Sequence, residues 1–189
     1  MKVVTIDAGH GINTAGKRVP QEMKRLGGTR ENRLNQLIVD ELFNMCYMHK
    51  CDFTLTQVND SSGSTDTPLA TRATKSNNLK ADFHISIHHN AAGRIFSGGG
   101  YTLYAAKNSR GKLYLQSLDE LFKKFGVPKG NRSRTMVEQN FYILTHTKAP
   151  AILVECAFMD STTDNQYIAT SDFVHSVAVA LFNFLKTYV

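Results

Sequence analysis

The run "AILVE" at residues 151–155 constrains this chain most. Four apolar residues in succession, ending on a carboxylate, read as a strand covered on both faces; a strand with one wet face alternates instead. "KVVTID" at residues 2–7 and the mostly apolar residues 82–87 belong to the same class. "DFTLTQ" (52–57), "YTLYAA" (101–106) and "FYILT" (141–145) read as three further strands. Between them the apolar period changes. Leu34, Leu37, Ile38, Leu42 and Met45 recur at helical spacing within 31–48, and residues 69–79 also predict a helix. Leu115, Leu118, Phe122 and Phe125 form another helical stripe, stopped by Gly126 with Pro128 beyond. A last helix is expected from about Ser171–Asp172, a plausible N-cap, with Phe173, Val174, Val177, Ala178, Leu181 and Leu185 on one face. Strands alternating with helices predict an α/β fold: one twisted, largely parallel (mixed) sheet with helices on both faces.

The chain of 189 residues shows no repeat, low-complexity tract or linker, so residues 1–189 read as a single domain. No apolar run has the length of a membrane span, and the N-terminus lacks a secretory h-region and cleavage site. The expectation is a chain that stays in the cytoplasm until it is released. Cys46, Cys51 and Cys156 have no CxxC spacing, and an odd count argues against a disulfide framework; all three are expected in the core as thiols. The net charge of +6 favours a polyanionic partner without naming it.

Ligands of open α/β sheets bind outside the carboxyl ends of the strands. His10 follows the first strand, His88 ends "FHISIH", and Glu155 ends "AILVE". Glu31, in the first turn of a helix, can face the same edge. Two imidazoles and a carboxylate suffice for Zn²⁺ with one open position, so His10, Glu31 and His88 are the candidate ligands. Such an ion lowers the pKa of water and polarises a carbonyl. Glu155 is then the general base, taking a proton from water and passing it to a leaving nitrogen.

Four segments carry a resemblance: "IDAGHG", "ENRLN", "SIHHNA" and "PAILVECAFMD", in this order along nearly the whole chain. Together they resemble the zinc-dependent N-acetylmuramoyl-L-alanine amidases of the amidase 3 group. The resemblance implies one Zn²⁺ ion and hydrolysis of the amide between N-acetylmuramic acid and L-alanine in bacterial peptidoglycan. It implies ligand roles for His10, Glu31 and His88 and a catalytic role for Glu155, the residues that the strand-end argument selects. A phage lysin is the version that fits a chain without a signal peptide or appended wall-binding domain; a bacterial autolysin is the alternative. Cys156-Ala157-Phe158 with Asp160 departs from the family's usual Gly-Phe and Asn after the catalytic Glu, and His89 stands where a small residue is common.

Other residues carry paired readings. His84 lies roughly 13 Å from His88 by strand rise, too far for the same ion, and is expected as a hydrogen-bonded histidine. His89 takes the opposite face, as a groove residue or a plain rim histidine. Asn90 either holds the substrate's peptide groups or braces its loop; Asp7 either orients His10 or caps the turn. Arg132 and Arg134 are candidates for stem-peptide carboxylates or a solvated loop. Cys156 is expected to be packing; His49, His146 and His175 carry no role. The basic loop 13–29 is expected to wall the substrate groove. Competing functions are a zinc peptidase cutting within the stem peptide and a non-catalytic polyanion-binding module. Scattered Lys and Arg with no reading motif argue against nucleic acid.

Overall fold

The computed structural model describes residues 1–189. Its strands are β1 (Lys2–Ala8), β2 (Phe53–Gln57), β3 (Phe83–Asn90), β4 (Thr102–Ala105), β5 (Met136–Glu138) and β6 (Ala151–Phe158). They form one six-stranded sheet in the order β2-β1-β3-β6-β4-β5. Every pairing is parallel except β4 with β6. The helices are α1 (Glu31–Met48), α2 (Leu69–Asn78), α3 (Leu115–Lys124), α4 (Tyr142–His146) and α5 (Ser171–Tyr188). The α/β expectation, with a mixed sheet and two covered faces, is what the chain adopts.

Side-chain alternation along the central strands divides the two faces. Val4, Ile6, Ile85, Ile87, Ile152 and Val154 join the large core with apolar residues of α1, α3 and α5. Ala151 and Leu153, on the other face, pack with Ala73 of α2 and with Ile143 and Leu144 of α4. Between these smaller contacts, the second face carries Thr5, Asp7, His84 and Ser86, all buried. The sheet is therefore greasy on one side and polar on the other. No helix is long and apolar enough to cross a membrane.

Three expectations change, and one strand is added. "FYILT" is not a strand: residues Tyr142–His146 make one short helix. Ile143 and Leu144 are adjacent yet both face the second cluster, which alternation in a strand forbids. The Tyr142 ring stacks on His146 at 3.7 Å, an i,i+4 contact, and the Thr145 hydroxyl donates to the Phe141 carbonyl. The edge strand of this region is β5, three residues that carry too little pattern to read. The α5 N-cap is Thr170, whose hydroxyl accepts from the Phe173 N–H, one residue before Ser171. Cys156 is buried in the core, but Cys46 and Cys51 are only half-buried at its margin.

Candidate metal centre

The cluster is built around the end of β1. The chain turns at Gly9 and His10, where His10 takes a left-handed φ of 61°. This conformation costs energy for a non-glycine residue and must be held. Asn32 donates to the carbonyls of Gly9 and His10 at 3.1 and 2.8 Å, and Asn35 donates to Gly9 at 3.1 Å. Arg72 adds a bond to the His10 carbonyl at 3.3 Å. Gly9 is required by contact: a Cβ there would stand 2.2 Å from Cε1 of His88. The imidazole of His88 thus lies directly over the β1 turn.

Glu31 opens α1, and the same helix supplies Asn32 and Asn35, so one rigid element fixes both a carboxylate and the turn that carries His10. One donor atom each from His10, Glu31 and His88 lies within 4.8 Å of the others. Glu31 Oε1 is 3.1 Å from His88 Nδ1 and 3.5 Å from His10 Nε2. Burial works against the charge of Glu31, but the His88 hydrogen bond and the charges of His88, His10 and Lys17 outweigh it and hold its pKa at about 2. Burial pushes His10 down to about 4 despite Glu31. Burial lowers His88 too, but Glu31 and Glu155 outweigh that and leave it above the ordinary histidine value.

Glu155 reaches the cluster through sheet register: it is the Cα partner of His88 on one side and of Thr102 on the other. Burial, with the neighbouring charge of Glu31, raises its pKa to about 7, although His88 and Lys17 oppose the shift. Two carboxylates at one edge are thus pushed apart, Glu31 ionised and Glu155 poised near neutrality. Both Glu31 Oε2 and Glu155 Oε2 are buried with no hydrogen-bond partner. Unmet buried acceptors are costly unless something cationic or protic meets them. The donor set and these oxygens fit a divalent metal ion with a water beside Glu155.

Other residues fall as follows. Asp7 does not reach His10: it is buried under the site, bonded to Arg72 at 2.6 Å, His84 at 3.1 Å and Ser86 at 3.1 Å. The carboxylate facing His10 is Asp66, whose Oδ2 is 3.9 Å from Nδ1. Asp66 is itself fixed by Arg72 at 2.8 Å and by the Thr14 hydroxyl at 2.6 Å. His84 is the fully buried hydrogen-bonded histidine expected. His89 is neither groove nor rim: it is buried on the α1 face, 2.8 Å from Asn35 Oδ1. Asn90 ends β3, half-buried, its Oδ1 accepting from the Ala91 N–H at 2.8 Å. The Arg132 guanidinium lies over the Phe158 ring and Arg134 is exposed. Arg72, Asp66 and Lys17 were not legible as site residues. Only the long polar segments flanking "GHG" hinted that more was assembled there.

The family model for N-acetylmuramoyl-L-alanine amidases, amidase 3, matches residues 4–187. The chain belongs to this family. The amidase CwlM of Bacillus licheniformis is 28% identical over 182 residues, covering 94% of this chain and 65% of that protein. The endolysin of Bacillus phage SPP1 is 26% identical over 182 residues, covering 94% and 62%. The chain thus spans less than two thirds of either relative. Among solved structures, the N-acetylmuramoyl-L-alanine amidase of Clostridium difficile 630 superposes with a TM-score of 0.85 at 26% identity, over 99% of this chain and 96% of that one. The catalytic domain of CwlV from Bacillus (Paenibacillus) polymyxa shares the fold at a TM-score of 0.79 and 24% identity, over 100% and 98%.

Proposed function

We propose that this chain is the catalytic unit of a zinc-dependent amidase that hydrolyses the bond between the lactyl group of N-acetylmuramic acid and L-alanine in peptidoglycan. The observation that carries the reading is the cluster of His10, Glu31 and His88 beside the unpartnered carboxylate of Glu155. Membership of the amidase family supplies the substrate class. Zinc suits two imidazoles and a carboxylate better than an all-oxygen ion such as Mg²⁺ does.

His10, Glu31 and His88 would hold the ion, which supplies acidity to water and polarisation to a carbonyl. The chain's own residues do the rest. Glu155 takes the proton of the attacking water and returns it to the nitrogen of the leaving L-alanine. Asn90, the last residue of β3, offers its side-chain amide to the backbone of the stem peptide. The loop 13–29 forms one wall of the groove, and removing part of it while zinc stays bound should slow turnover on intact walls. Residues 1–189 act as one domain, supported by the single sheet. The enzyme meets its substrate on the outer side of the membrane, after release of the kind that a phage lysin undergoes; the similarity to the SPP1 endolysin supports this delivery.

Mass spectrometry of fragments released from purified peptidoglycan, with and without a chelator, tests the reading. Intact stem peptides with a free N-terminal alanine, lost on chelation and restored by Zn²⁺, are the expected products. Cuts inside the stem would move the chemistry to a peptidase. No release from walls of several bacteria would leave only wall binding.

A further inference from the structure

Lys17 lies in the long loop between the first two candidate ligands, and two backbone contacts pin it beside the cluster. The Glu31 N–H donates to the Lys17 carbonyl at 3.0 Å, and the next residue, Arg18, bridges to Arg30 just before α1. The side chain then reaches over the site until Nζ is 4.0 Å from Glu31 Oε2. No other Lys or Arg makes an ion pair with His10, Glu31, His88 or Glu155. The contact is too long for a hydrogen bond, and Nζ has no hydrogen-bond partner in the protein. Lys17 is 46% exposed, whereas Glu31 is almost fully covered. The ammonium therefore sits on the solvent side of the cluster, where a substrate must enter, with its three donors unspent.

Its placement points to its use. Glu31 and Glu155 would match the charge of a divalent ion held there, and Lys17 is the ammonium on the solvent side of the ligand carboxylate. Amide hydrolysis creates a new negative charge on the carbonyl oxygen, and a fixed cation aimed at it lowers the barrier. We propose that Lys17 is a catalytic residue whose ammonium stabilises the oxyanion formed on the lactyl carbonyl, an inference that rests on the amidase reading. The water oxygen bonds to the carbonyl carbon, the C=O π pair moves to oxygen beside Lys17, and the water's proton passes to Glu155. On collapse the pair returns, the C–N bond breaks, and the Glu155 proton goes to nitrogen. The lactyl acid and the L-alanine amine leave.

Lys17→Met and Lys17→Arg test this. Readouts are kcat and KM on soluble, uncrosslinked glycan strands, zinc content and zinc affinity, and calorimetric binding of a phosphinate isostere of the scissile amide. K17M should lose about 10²-fold in kcat with KM changed less than about twofold. Its zinc content and affinity should match the parent's, phosphinate binding should weaken in parallel with kcat, and K17R should recover part of both. A raised KM at unchanged kcat, or weakened zinc affinity with a rate restored by excess zinc, would overturn the proposal and make Lys17 a brace for Glu31. A parent protein that leaves the strands uncut while K17M still weakens phosphinate binding would sink the amidase reading and keep the anion-stabilising role.

Discussion

Two clusters that both join imidazole to carboxylate lie a few residues apart along β1 and β3. The deeper one joins Asp7, His84, Ser86 and Arg72; the outer one joins His10, Glu31, His88 and Glu155. In the deeper cluster every charge is answered. Arg72, 1% exposed, donates to Asp7, Asp66 and the carbonyls of Thr67, Ala8 and His10. His84 spans Asp7 and the Thr5 hydroxyl. In the outer cluster two carboxylate oxygens go unanswered. The lesson is that imidazoles and carboxylates do not mark a site by their presence. What marks it is the hydrogen bonding left undone at a solvent-facing edge.

The contrast can be broken from either side. Glu155→Gln should cost roughly 10²–10⁴-fold in turnover, with zinc content and unfolding midpoint unchanged. Loss of zinc in that variant would place Glu155 among the ligands instead. Arg72→Met strips the deeper cluster of its arginine and should cost about 3–5 kcal/mol of stability, because the Asp7 carboxylate stays buried without its guanidinium partner. Urea unfolding reads this directly, and a change below about 1 kcal/mol would mean that the cluster is not the support described.

The same cluster sets an acid limit. Burial alone would raise the Asp7 carboxyl, but the His84 hydrogen bond and the charges of Arg72 and His84 outweigh it and hold it far below its ordinary 3.8. The native state thus resists protonation that the unfolded chain accepts. The stabilisation is complete above pH 3.8 and drains as pH falls through that value towards the depressed one. Unfolding midpoints measured across that range should fall with pH in the parent and fall less in Asp7→Asn. Between the clusters, Asp66→Asn should weaken zinc binding by about tenfold or more with little effect on folding. Competition with a chromogenic chelator gives the number. The smallest expected effect is Ser86→Ala, about 1 kcal/mol, from one lost hydrogen bond to Asp7.

The two clusters were not equally legible. The outer one could be found because topology alone carries strand ends to one edge, and four segments of the sequence fall there in order. α1 was legible to its ends because its apolar period is long and regular. The deeper cluster could not be read. Arg72 sits in a helix of weak pattern, and a buried arginine looks like a surface one until Asp7 and Asp66 are seen around it. His89 misled in another way: its far-side placement follows from strand alternation, but there it is buried against Asn35 instead of lining a groove or rim. "FYILT" failed because local preference was overridden: its aromatic and β-branched residues favour a strand, but packing Ile143 and Leu144 together on the second cluster takes a helical turn.

The strand order carries a consequence for synthesis. β6 is made last of the six strands, yet it lies between β3 and β4 and is the seam that joins β2-β1-β3 to β4-β5. A nascent chain that has not yet emerged past Ala151 has already exposed His10, Glu31 and His88, but it has neither the seam nor Glu155. The residues proposed to capture metal thus precede the one proposed to use it, and the chemistry is withheld until the two halves of the sheet have closed on each other.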